Sequence, residues 1–308
     1  MKVAVLTGGV GGAKLVLGLS RVVHGSDLVA IVNTADDFRH LGLHVSPDVD
    51  TLLYTLAGKA NAVQGWGREG ETWSFMAALR ELGGEDWFLL GDHDLALHVL
   101  RTAAMLRGET LSAVTHRFVR AWSIGAEILP MSDQPVTTEV ETDAGRLPFQ
   151  KYFVEQRCAP AVRCISFVGV EVARPAAGVI EAIHGADAVI VAPSNPFLSI
   201  DPILAVPGIR QSLETTAAPV VAVSPIVGGQ AVKGPTAKLM RELDLEVNNA
   251  MIARHYAGVV DGLLINEGDD APEGGIAVEQ ADTMMHTIAD KVRVARAALD
   301  LAQRIGRA

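Results

Sequence analysis

The sequence has little cysteine, no surplus of positive charge and no long uninterrupted hydrophobic run. Cys158 and Cys164 are the only cysteines among 308 residues, too few for a disulfide framework or a zinc cluster, so we expect two reduced thiols. The net charge of −10 disfavours a general nucleic-acid binder, which needs a basic face. No uncharged apolar stretch approaches the roughly 18 residues that span a bilayer, and no charged leader precedes such a stretch. These absences predict a cytoplasmic protein that binds neither nucleic acid nor a membrane.

The hydrophobic content of 49% is enough for a large core. Short runs rich in β-branched residues predict buried strands at residues 2–7, 28–33, 87–90, 164–170, 188–192, 220–224 and 262–266. Helical patterns fall between them, at residues 13–23, 94–106, 110–122, 235–243 and 287–305. This alternation predicts an α/β, Rossmann-like fold, in which a mostly parallel sheet carries helices on both faces.

One segment departs from this alternation. Residues 137–156 alternate polar and apolar side chains around Asp143-Ala144-Gly145, which is typical of a β-hairpin. No low-complexity linker or internal repeat divides the chain. We therefore expect a single domain, residues 1–308, with a β-hairpin subdomain inserted at approximately residues 123–163.

A glycine-rich loop, LTGGVGGAK at residues 6–14, follows the first predicted strand. It fails the Walker A pattern, because Ala13 and Leu15 replace the last glycine and the hydroxyl residue, and it lacks the third Rossmann glycine. Glycines still let backbone N–H groups approach an anion at the positive end of a helix, whose first turn would include Lys14. The alternative is a tight turn without ligand. The glycines exceed what a turn requires, so we predict a phosphate site at Gly8, Gly9, Gly11, Gly12 and Lys14.

Acidic side chains cluster after the second predicted strand, in NTADDF (residues 33–38) and SPDVDT (residues 46–51). Mg²⁺ commonly takes one or two carboxylates together with substrate phosphates. The alternative is helix capping by Asp48 or Asp50. Because a phosphate loop lies nearby, we predict magnesium ligands at Asp36, Asp37 and Asp50, with catalytic roles for Asp37 and Asp50.

Polar residues also follow later predicted strands. In LGDHDLALH (residues 90–98), Asp92 and Asp94 flank His93, although Asp94 is equally suited to cap a helix. APSNPFLSIDPIL and SPIVGGQAVKGP follow two strands of the second half, and we predict that Ser194, Asn195 and Lys233 contact a ligand there. No nucleophile elbow or supported cysteine is present, which favours direct phosphoryl transfer over a covalent intermediate.

Taken in order, these motifs resemble the 2-phospho-L-lactate transferase (CofD, LPPG:Fo transferase) family of coenzyme F-420 biosynthesis, over nearly the whole chain. The resemblance implies a Rossmann-like homodimer that requires magnesium. It also implies a reaction, in which the deazaflavin Fo takes a phospholactyl, phosphoenolpyruvyl or phosphoglyceryl group from a guanosine diphosphate ester and GMP leaves. By motif match, the glycine loop with Ser194 and Asn195 would hold the donor, and Asp50, with Asp92 and Asp94, would contact the acceptor.

Two departures from the family pattern concern the acceptor side. The usual GDRD is GDHD here, so His93 replaces arginine, and Leu89 stands where a basic residue often occurs. A related family of sugar-nucleotide-binding regulators shares the glycine loop and an Asp-Asp motif, but we expect a glycine- and serine-rich stretch there instead of Phe38-Arg39-His40. A nicotinamide oxidoreductase would carry an acidic residue where Asn33 ends the second strand.

Overall fold

The computed structural model describes residues 1–61, 67–232 and 234–306. The strands in this part of the chain are β1 (Val3–Thr7), β2 (Leu28–Val32), β3 (Phe38–His40), β4 (Leu43–Val45), β5 (Glu127–Pro130), β6 (Thr137–Thr142), β7 (Gly145–Pro148), β8 (Val162–Val168), β9 (Ala188–Val191), β10 (Val220–Val223), β11 (Ile226–Val227), β12 (Gln230–Ala231), β13 (Gly262–Asn266) and β14 (Ala277–Ala281). The α-helices are α1 (Gly9–Leu19), α2 (Pro47–Leu56), α3 (Ser74–Glu81), α4 (Asp92–Leu106), α5 (Leu111–Ala121), α6 (Val179–His184), α7 (Asp201–Ala205), α8 (Ile209–Thr215), α9 (Thr236–Glu242), α10 (Asn249–His255) and α11 (Ile288–Ile305).

A central parallel sheet has the strand order β14-β13-β10-β9-β1-β2-β5. Alternate side chains of a strand point to opposite faces. Ala4 and Leu6 of β1 therefore enter the core on one face, with α6 to α10, whereas Val3 and Val5 enter the core on the other, with α1, α2, α4, α5 and α11. The predicted α/β fold, with helices on both faces of a parallel sheet, is confirmed.

The predicted hairpin is present as β6 and β7, which pair antiparallel on either side of Asp143 and Ala144. The strand predicted at residues 164–170 is β8, and it pairs with β6 outside the central sheet. Val140 of β6 is buried in the core of the central sheet, and β5, an edge strand of that sheet, falls within residues 123–163. The division into one domain with an insertion stays a prediction.

Two sequence expectations are wrong, and two strands were missed. Residues 87–90 form no strand; Phe88 and Leu90 instead pack in a small separate cluster with Met76. Helix α1 begins at Gly9 rather than at residue 13, so Lys14 lies in its second turn. The edge strands β5 and β14 were not predicted. Among the described helices, none is long and apolar enough to cross a membrane.

Candidate active site at the carboxyl edge of the sheet

The central strands β1, β2 and β9 lie side by side and run in the same direction. Their carboxyl ends therefore meet at one edge, where parallel sheets bind ligands. This edge brings together the glycine loop after β1, the acidic segment after β2 and the Ser194 segment after β9. The three regions that the sequence motifs single out are thus neighbours in space.

The glycine loop packs tightly against the Ser194 segment. The Ser194 hydroxyl accepts a hydrogen bond from the Gly8 N–H (3.1 Å) and donates one to the Gly8 carbonyl (2.6 Å). A Cβ on Gly12 would lie 2.5 Å from the Ser194 Oγ, and one on Gly11 would lie 2.9 Å from the Pro193 carbonyl oxygen. These glycines are thus required by the close approach of two protein loops, before any ligand is considered.

Asp48 lies at the start of the glycine-loop helix. Its Oδ2 accepts a hydrogen bond from Asn33 Nδ2 (3.0 Å), and its carboxylate also accepts one from the Gly9 N–H. Burial raises the pKa of Asp48 to about 6, against the opposing effect of these two donors. Asp48 therefore caps α1 rather than its own helix, α2, whose N-cap is Ser46.

Asp36 and Asp37 follow β2 at the same edge. Burial, reinforced by the negative charge of Asp48, raises the pKa of Asp36 well above its ordinary value. Burial also raises the pKa of Asp37, although its Oδ2 accepts hydrogen bonds from His44 Nε2 (3.1 Å) and the Ser46 hydroxyl (2.7 Å). The Oδ1 atoms of both carboxylates are buried and have no hydrogen-bond partner among the described residues. Each has an acceptor atom available for a cation or a proton.

Asp50 is part of a buried polar network between α2 and α4. Both of its oxygens accept hydrogen bonds from the guanidinium of Arg101, which is completely buried, and His98 Nδ1 lies 3.6 Å from Oδ2. Burial lowers the pKa of His98 to about 4. Burial, followed by the charge of Asp50, raises the pKa of Asp94 to about 7, and the Tyr54 hydroxyl donates to that carboxylate. Asp50 and Asp94 therefore belong to one network.

Asp92 lies outside this network. Its carboxylate accepts hydrogen bonds from the Thr72 hydroxyl and from backbone N–H groups at the start of α3, including that of Phe75 (3.0 Å). The neighbouring His93 is half-exposed, with Nδ1 3.8 Å from Glu71. These contacts tie α3 to α4. The acceptor role expected for Asp92 stays a prediction.

The second half of the chain contributes Asn195 to this edge of the sheet. Asn195 Oδ1 caps the next turn by accepting from the N–H groups of Phe197 (3.0 Å) and Leu198 (3.1 Å). Its Nδ2 is buried and has no partner among the described residues, so it is a donor available to a ligand. Lys233, predicted to contact the ligand, lies outside the described residues.

The metal prediction can be compared with these donors. Across the described ranges, no set of three or more His, Cys, Asp and Glu side chains is placed to hold a metal ion. The unpartnered oxygens of Asp36 and Asp37 fit a magnesium ion that takes two carboxylates and completes its shell with phosphates and water. Asp50, with both oxygens bonded to Arg101, fits less well, and its assignment as a ligand stays a prediction.

His98 and Arg101 were missed by sequence reasoning, whereas Asp94 on the same helix was predicted. Asp94, His98 and Arg101 recur at i, i+4 and i+7 along α4 and therefore share one helical face, which is a detectable signal. The same helix exposes Val99 (49%) and Leu100 (58%) while it buries Leu97 and Ala104, so hydrophobicity alone does not single out its inward face.

Leu89, expected beside the acceptor, is 38% exposed in the loop before α4. Trp87 and Phe88, expected in the core of the sheet, instead contact the Phe38 ring, with centroid distances of 5.8 and 4.8 Å. The Trp87 Nε1 is buried and has no partner among the described residues. These rings form an aromatic cluster beside the acidic segment.

Comparison with known proteins gives consistent results. The model of the family described as 2-phospho-L-lactate transferase CofD matches residues 3–303. A protein of Streptomyces griseus named phosphoenolpyruvate transferase is 42% identical over 99% of this chain and 99% of its own length. A protein of the same name from Mycolicibacterium smegmatis is 38% identical over 98% of this chain and 99% of its own length. The crystal structure of a UPF0052 family member from Bacillus halodurans has a TM-score of 0.64 and 20% identity, covers 97% of this chain and 98% of its own, and supports the fold alone.

Proposed function

This chain belongs to the 2-phospho-L-lactate transferase CofD family, and we propose on that premise that it transfers a phosphoenolpyruvyl group from a guanosine diphosphate ester to the deazaflavin Fo in coenzyme F-420 biosynthesis. The observation that carries the choice of group is the full-length identity of about two fifths to relatives named phosphoenolpyruvate transferase, 42% in the Streptomyces griseus protein. Phospholactyl and phosphoglyceryl donors are the alternatives, and they differ from this one by a few atoms.

The proposed reaction is a direct displacement at phosphorus. A ribityl hydroxyl oxygen of Fo attacks the phosphorus next to the carboxylic-acid moiety, the bond from that phosphorus to the GMP oxygen breaks, and the hydroxyl proton is lost. The chain needs only to align the two substrates and stabilise the charge on the phosphates. The N-terminus of α1 and the Asn195 amide would hold the donor phosphates, since both offer N–H groups at this edge.

The acidic segment after β2 would stabilise the substrate phosphates through a bound metal ion. Asp36 and Asp37 would hold a magnesium ion through their unpartnered oxygens. When bound, such an ion neutralises negative charge on the transferring phosphate. Asp50, neutralised by Arg101, and Asp94 would then lie on the acceptor side, where they orient the ribityl chain.

The test is a reconstituted assay. Purified protein is incubated with Fo, Mg²⁺ and each of the three donors in turn, and the products are identified by mass spectrometry. We expect the phosphoenolpyruvyl product and GMP in equal amounts. Turnover only with another donor would change the proposed group, and no turnover with any donor would contradict the proposed reaction. Light scattering in the same buffer tests the expected homodimer.

A further inference from the structure

The most deeply buried charge in the described part of the site belongs to Arg101 in the middle of α4. Its side chain is completely inaccessible, and its guanidinium forms a two-point contact with the Asp50 carboxylate. Planar two-point contacts fix orientation as well as distance. Arg101 thus determines where the Asp50 oxygens point.

Arg101 also contacts the backbone of His44, whose ring lies beside the carboxylate of Asp37. Its Nη1 donates a hydrogen bond to the carbonyl oxygen of His44 (3.3 Å). The hydroxyl of the next residue, Thr102, accepts a hydrogen bond from the backbone N–H of His44 (2.7 Å). The ring of His44 in turn lies 3.1 Å from Asp37 Oδ2. Two consecutive residues of α4 therefore position the backbone from which His44 contacts Asp37.

We propose that Arg101 is a positioning residue, which sets the separation and orientation of the Asp37 and Asp50 carboxylates by bonding to Asp50 directly and to Asp37 through His44. This inference rests on the proposed function for its effect on turnover, but the geometry that it invokes exists without substrate. Displacement of a reacting group by about 1 Å can cost on the order of 100-fold in rate. Loss of the two-point contact should therefore affect turnover more than substrate binding.

The informative substitution is Arg101→Lys, which keeps the charge needed by the buried Asp50 but replaces a rigid fork with a single ammonium. We expect the variant to fold, the kcat to fall about 100-fold, and the KM for the donor to change by less than threefold. Arg293→Lys is the matched control, because Arg293, on α11, also binds a carboxylate, that of Asp282 (2.7 Å). Its kcat should stay within twofold of the wild type.

A second measurement distinguishes positioning from a loss of folded protein. In Arg101→Ala, millimolar guanidinium should restore part of the kcat, whereas the same concentration of sodium chloride should not. A kcat per folded molecule equal to that of the wild type in Arg101→Lys, or equal recovery with both salts, would overturn the proposal.

The crystal structure of Arg101→Lys supplies a readout that needs no activity. We expect the Asp50 carboxylate to rotate and the contact between His44 and Asp37 to lengthen beyond hydrogen-bond distance. Unchanged positions of both carboxylates would refute the positioning role even if the wild type shows no turnover with any donor. Conversely, the wild type could be inactive with every donor while the carboxylates are displaced in Arg101→Lys. That result would reject the proposed reaction and support the positioning role of Arg101.

Discussion

The amide of Asn33, the first residue after β2, donates a hydrogen bond to Oδ2 of Asp48 in the first turn of α2, over 3.0 Å. The same amide donates to the carbonyl oxygen of Leu198 (3.3 Å), so it joins the acidic segment to the segment after β9. Because the Asn33 amide is a neutral donor, it lets the buried carboxylate of Asp48 remain beside the N-terminus of α1.

Asn33→Asp should destabilise the protein, and more strongly at pH 7.5 than at pH 5. The change replaces a donor with a second carboxylate beside Asp48, whose folded-state pKa is already raised to about 6. Because its pKa is raised in the folded state, the carboxyl takes up a proton at a higher pH in the folded protein than in the unfolded chain. The folded state therefore gains stability as the pH falls from about 6 towards the pKa of the carboxyl in the unfolded chain, near 4. We expect a loss of at least about 2 kcal/mol at pH 7.5 by urea unfolding. Asn33→Ala adds no charge but removes the donor that lowers the pKa of Asp48, so its loss should also be larger at pH 7.5 than at pH 5, by a smaller margin than for Asn33→Asp.

Asp50→Asn should remove most activity while the protein stays folded at 25 °C. The amide cannot neutralise the buried Arg101, and breaking a buried pair typically costs about 3–5 kcal/mol of stability. Loss of a charge contact made in the transition state should lower kcat by about 100-fold or more. Steady-state kinetics alongside circular dichroism checks both parts, with the exposed Asp187→Asn as control. Near-normal turnover would remove Asp50 from the site.

GDP should raise the melting temperature, and Lys14→Ala should weaken that effect. A ligand bound only by the folded state adds about 2.7 kcal/mol of stability at 100 times its dissociation constant. Lys14 lies in the second turn of α1, within reach of phosphates at the N-terminus of that helix. Differential scanning fluorimetry with GDP, UDP and NAD measures the selectivity, and Lys2→Ala is the control. Stabilisation of equal size by all three nucleotides would argue against a guanosine donor.

Leu89→Lys should change the KM for Fo more than the KM for the donor. Leu89 is 38% exposed beside the aromatic rings of Trp87 and Phe88, and flat ring systems bind against such side chains. Its exposure lets the lysine be accommodated without loss of the core. Leu82→Lys, at a position 86% exposed, should change neither constant. A change confined to the donor KM would show that the acceptor binds elsewhere.

Asp290→Asn should lower the melting temperature at pH 7, and its difference from the wild type should shrink progressively as the pH falls below about 4. Asp290 accepts hydrogen bonds from the Thr287 N–H and from Arg293 at the start of α11, and these contacts lower its pKa. A carboxylate with a lowered pKa stabilises the fold above the unfolded value near 4 and loses that contribution as the pH falls towards the folded value. Thermal scans of both proteins across this range measure it. A constant difference between them would show that the capping contact does not depend on ionisation.

The sequence predicted the inner strands well because strands buried on both faces read as continuous apolar runs. The edge strands were missed for the converse reason: β14 (Ala277–Ala281) includes Glu279 and Gln280, and β5 (Glu127–Pro130) is short and ends in proline. The apolar run at residues 87–90 was read as a strand, yet it packs against α3 in a local cluster that periodicity cannot distinguish from a sheet.

The residues of the candidate site were likewise predicted only in part. Residues directly after strands were found because the carboxyl ends of parallel strands must meet at one edge. Arg101 was missed because the spacing that places it on one helical face with Asp94 and His98 does not show that this face is buried; its position depends on Asp50, 51 positions earlier in the chain. For Asp48, capping of its own helix was only the alternative to a metal site, and tertiary packing places its carboxylate at the start of α1.

The inward side of α4 combines charged and apolar side chains. It carries Leu97 and Ala104 of the core beside His98, Arg101 and Thr102, whereas Val99 and Leu100 face outward. Apolar contacts therefore hold this side of the helix inward together with the ion pair between Arg101 and Asp50. Since replacing a buried ion pair with apolar residues of similar volume is often neutral or stabilising, replacing Arg101 and Asp50 together should leave the helix in place while it removes this ion pair from the site.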